Sequence, residues 1–298
     1  MQAISCHNSK PIHQRYSVDE VVPYINWIYF FHAWGMEPRF ATITDEHDCP
    51  ACRAGWIATF APEEQAKARE AATLYTDALT LLRQWGDASI CQALCLLAET
   101  NSEGDDLIIG GHTHLPLLRQ QHAGAKGYTL CLSDFIRPAV SGTPDTIGIF
   151  ATVTHAPASD HPLLASTLAD RLAEATAERL HEEVRKCHWG YATDEKLTMR
   201  ELHAEAFQGI RPAVGYPSLP DQSINFIIDD LLDLNQIGIT LSDNGAMQPA
   251  SAVSGLMIAH PQATYFAIGK IGADQLRDYA ERRRLNIDKL RSFLASNL

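Results

Sequence analysis

The sequence lacks the features that would place it in a membrane or on a nucleic acid. Its 298 residues contain no apolar run near the ~20 residues that cross a bilayer, and residues 1–17 have no apolar core of a signal peptide. Basic residues are few: 24 Lys and Arg against 36 Asp and Glu give a net charge of −12. That balance argues against a nucleic acid or an anionic membrane as the main partner. An odd count of 7 cysteines indicates reduced thiols. We therefore expect a soluble cytoplasmic protein.

Common catalytic signatures are also missing. The chain has no GxSxG, Walker loop, HExxH or GxGxxG motif. No internal repeat or long linker marks a boundary, and 46% hydrophobic content is enough for a sizeable core. We expect one domain spanning residues 1–298, with residues 1–16 as an N-terminal arm.

The hydrophobic periodicity, together with the positions of helix caps, prolines and glycines, predicts an α+β fold. Ser17 and Glu20 form a capping box ahead of a helix that is interrupted at Pro23, ends near Gly35 and is apolar enough to be deeply buried. Strands come in adjacent pairs rather than alternating with helices, which favours a twisted, largely antiparallel sheet flanked by helices over a Rossmann or barrel fold. Further helices are predicted over 62–86, 160–186, 273–284 and 286–296, and strands over 89–99, 106–111, 126–135, 145–154, 252–260 and 264–271.

The helix predicted over 160–186 carries an acidic stripe. Asp160 is a plausible N-cap and Pro162 lies near the first helical positions. Leucines and an alanine at helical spacing should face the core, whereas Asp170, Glu174 and Glu178, four residues apart, line another face. Acids in such a row form either a solvated surface or part of a site. Polar and aromatic residues that crowd the end of this helix favour a site; they are His181, Arg185, His188, Trp189 and Tyr191.

The stretch "RPAVGYPSLPDQ", residues 211–222, holds three prolines and a glycine. Neither helix nor strand tolerates that density, because proline fixes φ and lacks a backbone donor. The stretch is either a rigid connection or a preorganised rim that presents Arg211 and Tyr216 to a ligand.

Two histidine and cysteine groupings leave alternatives open. Cys49 and Cys52 form a CxxC beside His47, but no further CxxC or HxxxH supplies a fourth zinc ligand. The motif lies in loop-like sequence, where a thioredoxin-type motif would open a helix after a strand. The motif is either a metal or redox site or part of a surface segment that carries cysteines without such a role. His112 and His114 have the spacing of some metal pairs but no third ligand nearby.

Three long blocks, residues 168–197, 208–222 and 250–283, resemble the C-terminal activation domain of cobalamin-dependent methionine synthase. The likeness extends upstream to "VPYINWIYFFHAWGM", "LLRQQ" and "LSDFIRP", so that it covers nearly the whole chain. The resemblance implies one α+β domain that binds S-adenosylmethionine (AdoMet). It further implies docking over cobalamin oxidised to cob(II)alamin, which is returned to methylcobalamin by an electron from flavodoxin or a similar donor and a methyl group from AdoMet.

The same resemblance implies site residues. The family motif RxxxGY matches Arg211, Gly215 and Tyr216, and an arginine fork suits a ligand carboxylate. Glu174 matches an acid near the ligand's amino group, and with Asp170 it matches carboxylates that meet a histidine released by the docked partner. AdoMet contacts are further expected at Ala213, Tyr265 and Phe266.

The chain departs from the family pattern in places. Asn26 in "YINW" replaces a carboxylate expected to grip the ligand's ammonium, and the segment 44–64 is longer than its family equivalent. No DxHxxG cobalamin signature occurs. We therefore expect cobalamin to be carried by a partner, a methionine synthase lacking its own activation domain. The alternative is a non-catalytic AdoMet sensor or a module that binds a corrinoid protein.

Overall fold

The computed structural model describes residues 10–123 and 127–298. Within these ranges the chain forms an α+β domain around an antiparallel sheet, as the sequence predicts. The strands are β1 (Ile12–Tyr16), β2 (Cys91–Glu103), β3 (Asp106–Ile109), β4 (Thr113–Pro116), β5 (Asp145–Thr154), β6 (Thr240–Leu241), β7 (Met247–Gln248) and β8 (Ala252–Met257). The helices are α1 (Val18–Val21), α2 (Trp27–Ala33), α3 (Pro50–Ala58), α4 (Gln65–Trp85), α5 (Pro162–Glu183), α6 (Met199–His203), α7 (Ile224–Leu232), α8 (Ala273–Arg283) and α9 (Ile287–Phe293).

The main sheet has the order β4-β3-β2-β5-β8, and β1 also pairs with β2. The long strand β2 makes this possible, because its first half pairs with β1 and its last residues pair with β3 along the same edge. Its other edge pairs with β5 from Cys91 to Thr100. The strands β6 and β7 form a separate two-stranded sheet.

Both faces of the central strands are buried. On β2, Cys95 packs among the residues of α1, α2, α4 and α5, whereas its neighbour Leu94 packs among those of α7 and the loops on the opposite face. This alternation is the period of two expected of a strand. Leucines of α5 at helical spacing face the core: Leu164 is nearly buried, and Leu168 and Leu172 are fully buried. Helix α5 therefore packs against the sheet, and its acidic stripe lies on another side of the helix, where the three acids are partly buried.

Several sequence predictions are confirmed in detail. Ser17 and Glu20 form the capping box of α1, and a 3₁₀ turn over Val22–Tyr24 with proline inside it separates α1 from α2. Helix α4 ends at Gly86, and β5 has the predicted bounds of 145–154.

Other predictions are wrong. The cap of α5 is His161, without a side-chain hydrogen bond, so Asp160 does not cap it. Residues 127–135 form no strand; they are loop followed by a 3₁₀ turn over Leu132–Phe135, while position 126 lies outside the described residues. The segment 264–271 does not pair with β8 and forms no hairpin. In α2, Phe30 is buried, but Tyr29 is 58% exposed, so this helix is not buried on all sides.

The expected N-terminal arm is partly a strand. Residues 12–16 pair with β2 in register from Ile12 opposite Cys95 to Tyr16 opposite Cys91. Residues 1–9 lie outside the described part of the chain.

The start of the proline-rich segment, residues 211–214, runs along the outer edge of β8. The Val214 N–H donates to the Ser254 carbonyl at 2.9 Å, and the Leu256 N–H donates to the Pro212 carbonyl at 3.0 Å. Gly255 makes this approach possible, because a Cβ there would collide with the Pro212 carbonyl oxygen and lie 2.9 Å from the Phe150 ring. The segment is thus both the rigid connection and a wall held against the sheet.

Candidate functional site

A cavity of about 510 Å³ lies between α5, the start of α2, the proline-rich segment and the loop after β8. Its polar and aromatic walls come from parts of the chain that are far apart in sequence. The described residues that line it are Tyr24, Asn26, Tyr29, Arg171, Glu174, Ala175, Glu178, Leu202, His203, Glu205, Arg211, Pro212, Ala213, Tyr216, Pro217, Ser218, Tyr265 and Phe266.

The Arg211 side chain is anchored by Glu178 of α5. Its NH2 nitrogen lies 2.8 Å from Glu178 Oε2, and both side chains are nearly buried, at 11% and 13% exposed. Burial alone would lower the pKa of the Arg211 guanidinium, but the negative charge of Glu178 raises it. Within the described chain, Arg211 Nε and Glu178 Oε1 are buried and meet no hydrogen-bond partner. Both residues line the cavity, and each keeps one buried polar atom without a partner, which is costly to leave unpaired.

Two tyrosines fix the proline-rich segment against its neighbours. The Tyr216 hydroxyl donates to Glu174 Oε1 at 2.6 Å, and the Tyr265 hydroxyl oxygen accepts from the Arg211 backbone N–H at 2.9 Å. Burial raises the pKa of both tyrosines, and in Tyr216 the Glu174 charge adds to the effect. Both hydroxyls therefore stay protonated at neutral pH, and each holds the residue that the sequence placed in the site.

Asn26 lines the cavity and also begins α2. Asn26 is the N-cap of α2, and its Oδ1 accepts a hydrogen bond from the Ile28 N–H at 3.2 Å. Asparagine and aspartate are about equally good at this position. Asparagine in place of the carboxylate that the resemblance implies therefore keeps the cap and gives the cavity wall one negative charge fewer.

The structure brings together most of the site residues that the resemblance implies. Seven of them line the cavity: Asn26, Glu174, Arg211, Ala213, Tyr216, Tyr265 and Phe266. Asp170 does not; it lies one turn before Glu174 on α5 and accepts from the Ser251 hydroxyl at 2.8 Å. Gly215 also lies outside the lining, and glycine suits it because its φ is +88°.

Sequence reasoning missed other parts of the cavity. Glu205 lines it, and burial together with the Glu178 charge raises its pKa. Glu178 was expected only as part of an acidic stripe, and Arg171 not at all. By formal charge, the three carboxylates of the wall (Glu174, Glu178 and Glu205) outnumber its two guanidiniums (Arg171 and Arg211) by one, which is −1 for these five side chains. Helical spacing of Arg171 beside the acidic stripe was a usable signal, but nothing in the sequence pointed to Glu205.

A buried ion pair supports the far end of α5. Arg185 is fully buried and makes three hydrogen bonds of 2.6–3.2 Å to Glu195. Its guanidinium lies 4.2 Å from the Phe207 ring centroid. His181 packs edge-on against the same ring, and burial with the nearby Arg185 charge holds its pKa well below the usual range. The polar cluster at the helix end is thus mostly internal support; none of these residues lines the cavity.

The CxxC lies elsewhere. Cys49 is the N-cap of α3, so the motif begins a helix, contrary to the loop expected from the sequence. The element before this helix is a 3₁₀ segment (Pro38–Asp45) and not a strand. The Cys52 N–H and the His47 side chain lower the pKa of the Cys49 thiol to about 7. His112 hydrogen-bonds the Gly110 carbonyl at 2.8 Å, as expected of a loop histidine.

The match to known proteins agrees with this arrangement. The family model described as the activation domain of vitamin B12 dependent methionine synthase matches residues 17–284. The chain belongs to this family. The activation domain is also similar to a solved structure described as the MetH reactivation domain bound to AdoHcy. The two share 32% sequence identity and a TM-score of 0.82, over 98% of this chain and 91% of that one.

Membership of the activation-domain family accounts for the fold and for the order of the matching blocks. No helix among the residues that the structure describes combines the length and the apolar character needed to cross a membrane.

Proposed function

We propose that the cavity binds AdoMet. The observation that carries this proposal is the nearly buried Arg211–Glu178 pair in the cavity lining, in which Arg211 Nε and Glu178 Oε1 meet no hydrogen-bond partner among the described residues. Such a pair suits the carboxylate and ammonium of an amino acid. The similar MetH reactivation domain was solved with AdoHcy, which has the same amino-acid moiety.

Charge favours the sulfonium form of the ligand. AdoMet carries an ammonium, a sulfonium and a carboxylate, for a net charge of +1, whereas AdoHcy is neutral overall. The cavity wall carries −1. Opposite charges in a partly buried site attract more strongly than in water, so AdoMet should bind more tightly than AdoHcy, and added salt should reduce the difference.

We further propose that the domain serves reductive reactivation of a methionine synthase. The partner is a cobalamin-carrying methionine synthase module, and a flavodoxin-like donor supplies one electron. The corrinoid supplies the cobalt that accepts the methyl group, and the residues of this chain hold AdoMet with its methyl group accessible. Asp170 and Glu174 lie one turn apart on α5, Glu174 in the cavity lining and Asp170 outside it, and would receive the histidine that the partner releases.

A second candidate is a module that senses AdoMet or caps a corrinoid protein without catalysis. Asn26 favours it, because the amide grips an ammonium less strongly than a carboxylate would. The two candidates differ in whether the domain supports recovery of methylcobalamin.

Titration calorimetry tests the AdoMet site. We expect the wild-type protein to bind AdoMet and Arg211→Ala to bind at least ~10-fold more weakly, because a charge-assisted contact is lost. Arg200→Ala is the matched control, since Arg200 is 88% exposed and lies outside the cavity. Since Arg211→Ala leaves Glu178 buried and unpaired, Arg211→Lys provides a variant that keeps the charge but loses the fork.

Equal affinity in the wild type, Arg211→Ala and Arg211→Lys would remove Arg211 from the site. No binding by the wild type at millimolar AdoMet would remove the site. For reactivation, the protein is added with AdoMet and a low-potential reductant to a methionine synthase that lacks its activation domain and carries cob(II)alamin. Absorption spectra should show methylcobalamin; binding of AdoMet without this recovery would favour the second candidate.

A further inference from the structure

The segment before α3 brings three metal-binding side chains together. Cys49 is the N-cap and Cys52 lies in the first turn, so their side chains share one side of the helix start. His47 precedes them in the same loop. The donor atoms of His47, Cys49 and Cys52 all lie within 4.8 Å of one another. Three donors of this kind converge here although only two of them belong to the CxxC motif.

The loop that carries these donors is held in place by other contacts. The Cys49 N–H donates to the His47 carbonyl at 2.7 Å, and the Cys52 N–H donates to Cys49 Sγ at 3.3 Å. Asp48 lies between the donors in sequence, but its carboxylate pairs with Arg53 at 3.2 Å and with Arg83 of α4 at 2.5 Å. The pair with Arg83 fastens the loop to α4, and the pair with Arg53 fastens it to α3.

We propose that His47, Cys49 and Cys52 bind a zinc ion through three protein ligands, with the fourth position open. Two thiolates and an imidazole form a soft donor set that suits Zn²⁺ and is unsuited to Mg²⁺ or Ca²⁺. Zinc–ligand distances of about 2.0–2.3 Å place neighbouring donors of a tetrahedral site roughly 3.5–3.8 Å apart. The donor atoms now lie within 4.8 Å of one another, so side-chain rotations that move them by about 1 Å bring them to these distances.

Exposure allows an ion to enter this site. His47 is exposed and both cysteines are half-buried free thiols. The open position faces solvent and would hold a water molecule or a soft ligand from outside. None of the three residues lines the cavity of the proposed AdoMet site, so the zinc site does not depend on the proposed function. Binding would tie the loop at residues 46–49 to the first turn of α3.

The test uses the full chain, reduced and stripped of metal. Zinc is added in competition with a chromophoric chelator, and Co²⁺ is added separately as a spectroscopic probe. We expect one zinc ion per chain and, with Co²⁺, the intense visible bands of a tetrahedral site and a thiolate-to-cobalt charge-transfer band. Cys49→Ser, Cys52→Ser and His47→Ala should each weaken zinc binding by at least ~10-fold.

Two controls separate this site from adventitious binding. Cys187→Ser removes an exposed thiol and His112→Ala an exposed imidazole elsewhere on the chain. Both variants should bind zinc as the wild type does. The proposal is overturned if the wild type binds no zinc at micromolar concentrations, or if the Cys49→Ser, Cys52→Ser double variant keeps full affinity. A Cys49–Cys52 disulfide in a chain that binds no zinc when reduced would assign the motif to redox chemistry instead.

Discussion

The Tyr216 hydroxyl donates a 2.6 Å hydrogen bond to Glu174 and so joins the proline-rich segment to α5 across the cavity. Tyr216 is half-exposed, and its partner lies on the acidic stripe of the helix. The bond orients the Glu174 carboxylate, which the resemblance places near the ligand's amino group. A phenol and a carboxylate at the mouth of a cavity therefore act together.

Tyr216→Phe should weaken AdoMet binding by about 1 kcal/mol, or about fivefold, because Glu174 loses the donor that orients it. Calorimetry measures the affinity, and thermal unfolding checks the fold. Tyr128→Phe is the matched control, since Tyr128 is 52% exposed and does not line the cavity. An unchanged affinity in Tyr216→Phe would mean that Glu174 does not touch the ligand.

Asn26→Asp should tighten AdoMet binding by about 1 kcal/mol, or about fivefold, because a carboxylate makes a charge-assisted contact with the ammonium. Stability should change little, because aspartate caps α2 as well as asparagine does. Asn286→Asp gives a matched control: Asn286 caps α9 in the same way, with Oδ1 2.8 Å from the Asp288 N–H, and lies outside the cavity. Weaker binding by Asn26→Asp would place the ammonium elsewhere.

The raised pKa of Glu205 predicts that the stability of the folded protein depends on pH. Glu205 is exposed by surface area, but partial desolvation of its carboxyl group and the Glu178 charge raise its pKa in the folded protein above the ordinary value of 4.5. The folded state therefore holds the proton more tightly than the unfolded state, and ionisation of Glu205 costs stability above the folded pKa. As the pH falls below 4.5, the group is protonated in both states and the cost disappears.

Glu205→Gln removes this ionisation. The variant should gain stability over the wild type at pH 7 in the absence of ligand, and the gain should vanish as the pH falls through the folded pKa of Glu205 towards 4.5. It should also bind AdoMet more weakly at pH 7, because the cationic ligand loses a negative neighbour. Denaturant unfolding and calorimetry between pH 4 and 8 check both effects. Glu70→Gln, an exposed acid on α4, should show neither.

Asp170 should separate partner docking from ligand binding. It lies on α5 one turn before Glu174, outside the cavity lining. Asp170→Asn should therefore keep AdoMet affinity and impair recovery of methylcobalamin, because the released histidine of the partner loses an anionic acceptor. Changing both Asp170 and Glu174 to Ala should impair recovery further and weaken ligand binding as well. Full recovery by Asp170→Asn would exclude Asp170 from the docking surface.

The regular part of the fold could be predicted from the sequence, because the hydrophobic period reports burial directly. The bounds of β5 and the sheet-facing leucines of α5, such as Leu168, follow from that period. The strand predicted over residues 264–271 is wrong for a related reason. These residues are apolar and pack beside the sheet, but the Ile268 N–H donates to the Pro217 carbonyl instead of pairing with β8. Pattern alone does not distinguish such packing from a strand.

The site was predicted mainly through the resemblance, and some of its residues and contacts were missed. Arg211 and Tyr216 stood out because prolines surround them. Glu205 did not, since its position depends on a short helix, α6, and on a left-handed backbone with φ of 56° that no sequence pattern predicted. The pairing of Arg211 with Glu178 is a long-range contact between residues 33 apart, which helical spacing cannot indicate.

The path of residues 211–214 along β8 also covers an edge strand of the sheet. An uncovered edge strand offers a row of amide and carbonyl groups to any other extended chain, and this is a common start of aggregation. Here the groups of Ser254 and Leu256 on that edge are already occupied by Val214 and Pro212. The covering residues are a poor template in turn, because Pro212 has no N–H to donate. The wall of the cavity thus also keeps this side of the sheet from pairing with a second molecule.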